Sequence, residues 1–193
     1  MNTGQTLMVL MALVLLSGVI LGVNRLLISK TSTMLEAEAN LTAVSVAQSM
    51  MDEIQTQAYD KATVGAKVFN DSSKFVASGS LGPDGNDPAG VTLPDTANAS
   101  GQFKSVTGYD DVDDYNGYKR LVNTSMGTFA VIATVYYVSE SNPNLWQSTQ
   151  SFYKKIVVTV RHPDMVPSNV GYSQWSGNYY LQVADVAVYR RYF

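Results

Sequence analysis

Four carboxylates and an amide fall within one short turn: Asp110, Asp111, Asp113, Asp114 and Asn116, in the stretch YDDVDDYNGYKR. Hard oxygen donors packed this densely suit Ca²⁺, and Gly117 permits the tight backbone geometry that such a site needs. These five residues are the metal-ligand candidates, although their spacing is not that of an EF-hand loop. The competing reading is a solvated acidic turn that caps the adjoining strand. Lys154, Lys155, Arg190 and Arg191 are the cations expected to pair with it across a boundary between subunits. Exposed pairs of that kind would orient the partners and add little affinity.

Other chemistry is sparse. The absence of cysteine excludes a disulfide framework and thiolate-bound zinc. The single histidine, His162, stands in VRHPD at a strand end and reads as structural or surface. No nucleophile elbow, phosphate loop or dinucleotide fingerprint is present. Neither enzymatic activity nor a cofactor is therefore expected, apart from the Ca²⁺ that the acidic turn suits. A net charge of −3 gives no electrostatic footprint for nucleic acid. Minimal glycosylation sequons begin at Asn40, Asn70, Asn98 and Asn123, and such matches arise easily in Asn- and Ser-rich chains.

The elements that position these residues begin with a long helix. No charged side chain precedes Arg25, and Leu7 to Val23 is apolar except for Ser17, Gly18 and Gly22. As a helix this stretch is about 26 Å long, near the lower limit for crossing a bilayer. Neither Gly nor Pro occurs between Arg25 and Gly65, so the helix is expected to continue to about Tyr59. Leu41, Val44, Ala47, Met51, Ile54 and Ala58 recur at spacings of three and four, a stripe that predicts packing on a sheet.

Turn formers crowd residues 64–105, which read as a solvated loop. Strands follow. Thr128 to Val138 places Phe129, Val131, Ala133, Val135 and Tyr137 on one face. Tyr153 to His162 and Tyr179 to Phe193 give two more, and a short strand near Tyr118 to Asn123 precedes them. The 12 tyrosines suit exposed β-rich surfaces. The fold class expected is α+β: one long N-terminal helix packed by its second half on an antiparallel sheet of about four strands. The segments are 1–24, apolar helix; 25–60, its amphipathic continuation; 61–108, the helix-to-sheet loop; and 109–193, the β-head.

This layout resembles the type IV pilin and pseudopilin family. The resemblance is carried by Gly4-Gln5-Thr6-Leu7-Met8, by the run VLMALVLLSGVILGVNRL, by ANLTAVSVAQSMMDEIQTQAYD and by YDDVDDYNGYKR. The last two are similar to I-type secretion pseudopilins and PilV-like minor pilins. The resemblance implies a structural subunit that rests in the inner membrane and then joins an extracellular, cell-surface filament. Its expected partners are copies of itself, the membrane, the pilus assembly machinery and prepilin peptidase. Leu7, Val9, Leu10, Leu13, Leu16, Gly18 and Gly22 would face the filament core.

Cleavage between Gly4 and Gln5 would put Val9 where the family carries a glutamate. That glutamate is thought to meet a neighbour's N-terminal ammonium, which Val9 cannot do. In a second register Met1 is the mature first residue and Gln5 is a neutral substitute for the glutamate. A four-residue leader without basic residues would set Arg25 and Lys30 on the cytoplasmic side, opposite to a pilin. The alternatives are a minor pseudopilin of a type II secretion-like system and a monomeric membrane-anchored binding module.

Overall fold

A computed structural model describes residues 3–84, 93–167 and 170–190. It divides into two compact units, residues 1–38 and 39–193. A single helix, α1 (Thr3–Gln55), runs through the first unit and into the second.

Among the described residues, the apolar surface of α1 in the first unit has no internal partner. Met8, Val14, Leu15 and Ile28 are each at least 70% exposed, and the side chains between them are little more covered. The helix is long and apolar enough to cross a membrane. Three of its hydroxyls are satisfied within the helix: Ser17 donates to the carbonyl of Leu13, Thr31 to that of Leu27 and Thr33 to that of Ser29.

The second unit is a helix on a sheet. Strands β1 (Asp95–Thr96), β2 (Lys119–Thr124), β3 (Gly127–Tyr137), β4 (Tyr153–Arg161) and β5 (Leu181–Val188) lie in chain order across one sheet. β1 pairs parallel with β2, and every other pairing is antiparallel. The α+β arrangement is as expected. Alternation on β3 and β4 puts Phe129, Val131, Ala133, Val135, Ile156, Val158 and Val160 in the core, as their period-two pattern predicts.

The helix face is a correction. Ala39, Ala43, Val46, Ala47, Met50, Met51 and Ile54 meet the sheet. Ala47, Met51 and Ile54 were expected there, but Leu41 is 73% exposed and Val44 only half-buried. The predicted stripe follows the bulky residues, whereas the buried face is built on the small alanines at 39, 43 and 47. Ala58 lies beyond the helix. It donates to the carbonyl of Asp110 and accepts from the amide of Val112, a bridge that ends α1 before the expected Tyr59.

Two further corrections concern the loop and the tyrosines. Within residues 61–84, Val68 and Phe75 form a second core with Tyr59, Tyr137 and Phe152, so this part is packed and not a solvated loop. β1 also falls in the segment read as loop; it is only two residues long, too short for any periodicity to show. Tyr59, Tyr109, Tyr115, Tyr118 and Tyr137 are buried, not displayed on a surface.

Candidate functional site

In the first unit, Gly4, Gln5, Leu7, Val9, Leu10, Leu13, Leu16, Gly18 and Gly22 all lie on α1 and are exposed. Among the described residues, a Cβ built on Gly4, Gly18 or Gly22 would meet no atom within 4 Å beyond its own turn of helix. These positions are open for contact with another molecule.

In the second unit the acidic turn is buried rather than solvated. Asp111, Asp113 and Asp114 are each about 2% exposed or less. A one-turn 3₁₀ helix, Asp113–Tyr115, folds the backbone so that the carboxylates take up its amides. Asp111 Oδ1 accepts from the amides of Asp113 (2.9 Å) and Asp114 (3.2 Å). Asp114 Oδ2 accepts in return from those of Asp110 (3.0 Å) and Asp111 (3.2 Å). Asn116 donates from Nδ2 to the carbonyl of Leu81 and accepts at Oδ1 from the amide of Val135, bracing the turn against β3.

The five candidate ligands therefore separate. One carboxylate oxygen each of Asp110, Asp111 and Asp114 lies within 4.8 Å of the others. Asp113 and Asn116 are turned to protein partners. Asp110 Oδ2 already holds the ammonium of Lys61 at 2.8 Å. The turn keeps its shape through its own donors.

Asp113 is committed to Lys154, which projects from β4 into the core. Lys154 is fully buried, and its Nζ donates to Asp113 Oδ1 (2.6 Å), Asp60 Oδ2 (2.8 Å) and the carbonyl of Tyr59 (2.8 Å). The rings of Tyr59 and Tyr137 lie 4.6 and 5.3 Å from it. Asp60 also accepts from the amides of Ala62 and Val76 and from the Tyr137 hydroxyl. The expected partnership between Lys154 and the acidic turn is thus real but lies within one chain. Lys155 instead donates to Asn144 at the surface, Arg190 is exposed, and Arg191 lies outside the described residues.

Crowding acids around one amine has an electrostatic consequence. Burial, then the charge of Asp113 and a hydrogen bond shared with it, push the Asp111 carboxyl up to about 9, against the pull of Lys154. Burial likewise pushes up the hydroxyls of Tyr59, Tyr115, Tyr118 and Tyr137, which act as neutral donors.

A second polar group ties α1 to the sheet. Glu53 receives Arg120 of β2 on one carboxylate oxygen, and Ser105 (2.7 Å) and Tyr115 (3.0 Å) on the other. Tyr118 donates to Asp95 at 2.8 Å, while Ser105 donates its amide to the same oxygen. Glu53, Asp60, Asp95 and Arg120 were not singled out by the sequence; the nearest signal was a wealth of tyrosine beside isolated charges. His162 is buried, stacked on Phe129 at 4.2 Å, and its Nδ1 accepts from the amide of Asp164. Of the two settings that VRHPD suggests, structural or surface, the surface one is excluded by this burial.

No family model, curated protein or solved structure matches the chain.

Proposed function

We propose that the chain is a structural subunit of a type IV pilus-like filament that polymerises through the apolar part of α1, with the β-head on the filament surface. The observation that carries this is the division of labour along one helix. From Leu7 to Ile28 its large apolar side chains are uncovered, and from Ala39 to Ile54 a stripe on the same helix anchors a folded head. In a bilayer the uncovered segment replaces water with lipid; in a filament it replaces lipid with copies of itself. Gly18 and Gly22 leave room for close helix approach. The inner membrane holds the subunit before assembly, and prepilin peptidase acting between Gly4 and Gln5 would release it to the assembly machinery. The chain catalyses nothing in this role.

Val9 favours a second reading. Without a carboxylate at that position, the chain suits a minor subunit of a type II secretion-like pseudopilus. The test is electron microscopy of material sheared from producing cells, with N-terminal sequencing of the same fraction. Thin filaments composed mainly of this chain support a principal subunit, and a first residue of Gln5 supports the cleavage. Filaments that hold it as a trace component favour the minor role. A monomer confined to membranes overturns both and leaves an anchored binding module.

A further inference from the structure

We propose that Lys154 and Asp113 condense to an amide, cross-linking β4 to the acidic turn inside the head. The inference stands on the second unit alone and does not depend on the filament reading.

The reacting groups are already in place. Lys154 Nζ lies 2.6 Å from Asp113 Oδ1, the shortest of its three polar contacts. The side chains of Lys154 and Asp113 are 0% and 3% exposed, so bulk water has almost no access. Fixing an amine against a carboxyl removes the entropic cost of an encounter, an advantage that reaches an effective molarity of about 10⁵ M or more in well-oriented pairs. Dryness also moves the equilibrium. In water the ionised pair is favoured by its hydration, but a buried pair forgoes that hydration, whereas a neutral amide needs little.

Proton carriers flank the pair. Asp60 Oδ2 touches the same Nζ at 2.8 Å and can take a proton from the ammonium. Asp111 stands beside Asp113, its Oδ1 accepting from the Asp113 amide at 2.9 Å, and from there its carboxyl can pass one to the carboxyl under attack. The step then balances. The amine nitrogen bonds to Asp113 Cγ, a Cγ–O bond breaks, and the departing oxygen leaves as water with two hydrogens that were on the ammonium. Asp60 and Asp111 end in the protonation states in which they began, and no oxidant or external reagent is needed.

Asp60 is the other carboxylate within reach, but Asp113 is the better acceptor. Asp60 is held by two backbone amides and a tyrosine hydroxyl, donors that satisfy a carboxylate. Asp113 has the acid of Asp111 beside it, which is what a carboxyl needs in order to lose oxygen as water.

The test is the intact mass of the full chain purified in detergent, followed by tandem mass spectrometry of its tryptic digest. The expected mass is lower than that of the sequence by one water. The digest should contain a branched peptide joining Asp113 to an uncleaved Lys154. Lys154→Arg should restore the full mass while keeping the charge. With Asp111→Asn, which can keep the backbone bonds of Asp111, most chains should carry the full mass with an unchanged circular dichroism spectrum. A wild-type chain of full mass with Lys154 in a linear peptide overturns the proposal, and so does a branch to Asp60. Complete cross-linking in Asp111→Asn overturns the role given to that acid.

Discussion

Glu53 on α1 and Arg120 on β2 form an ion pair sealed between helix and sheet, with the Arg120 side chain 3% exposed. The Arg120 guanidinium also lies 4.5 Å from the Phe103 ring, and its Nε has no hydrogen-bond partner among the described residues. Glu53→Gln keeps an acceptor for Ser105 and Tyr115 but leaves Arg120 charged and uncompensated. Breaking a buried pair in this way costs about 3–5 kcal/mol. Urea unfolding should show that loss for Glu53→Gln, and the double variant Glu53→Gln/Arg120→Met should recover much of it. An equal loss in the double variant would mean that the pair is not what holds α1 to β2.

Asp111 makes the head's stability depend on pH with an unusual sign. Its carboxyl titrates near 9 in the folded chain and about 3.9 when unfolded. Between those values the folded state binds the extra proton, so this group's contribution is complete at low pH and declines as pH rises toward 9. Burial is the first cause and acts whether or not Asp113 carries a charge. Asp111→Asn imitates the protonated acid. Its melting temperature should vary less than the wild type's between pH 5 and 9, approaching or exceeding it at the alkaline end. Parallel curves for the two chains across that range would overturn the assignment.

The position of α1 on the sheet can be tested with a pair of opposite substitutions. Leu41 is exposed and Ala43 fully buried. Leu41→Gln should change stability by no more than about 0.5 kcal/mol, whereas Ala43→Leu should cost about 1–3 kcal/mol by overpacking. The reverse ranking would restore the face first read from the sequence. That reading shows where sequence is legible. Strand periodicity on β3 and β4 survives because one face is apolar and the other is not. The helix face differs from the expected one because buried alanines give only a weak hydrophobic signal in the sequence. The centre of the head was hidden for a different reason. Charged residues usually read as surface, and Lys154 and Asp60 meet across 94 positions of sequence. The carboxylates of the turn were visible as a cluster, but their burial and their internal amide donors emerge only with the fold.

The acidic turn should hold without a divalent cation. Its carboxylates accept from the turn's own amides, and Asp110 already holds Lys61. A site filled at a hundred times its dissociation constant would stabilise the fold by about 2.7 kcal/mol. Differential scanning calorimetry with EDTA and with millimolar Ca²⁺ should therefore give the same melting temperature. A clear rise with Ca²⁺ that is lost in Asp114→Asn would instead establish Asp110, Asp111 and Asp114 as ligands.

Gly18 offers a test of the proposed filament against an isolated subunit. Beyond its own turn of helix, no atom of the described residues lies within 4 Å of a Cβ at this position, so Gly18→Leu meets no neighbouring element there. Helix propensity should even improve by about 1 kcal/mol or slightly less. Membrane insertion and the stability of the head should therefore be unchanged. In an assembled core, a leucine where neighbouring helices need close approach would force them apart. Sheared fractions from cells producing Gly18→Leu should contain few or no filaments, while the membrane fraction holds a normal amount of subunit. Wild-type filament yield from this variant would show that the glycine does not lie at a helix contact, and would shift attention to Leu10 and Leu13 on the same uncovered segment.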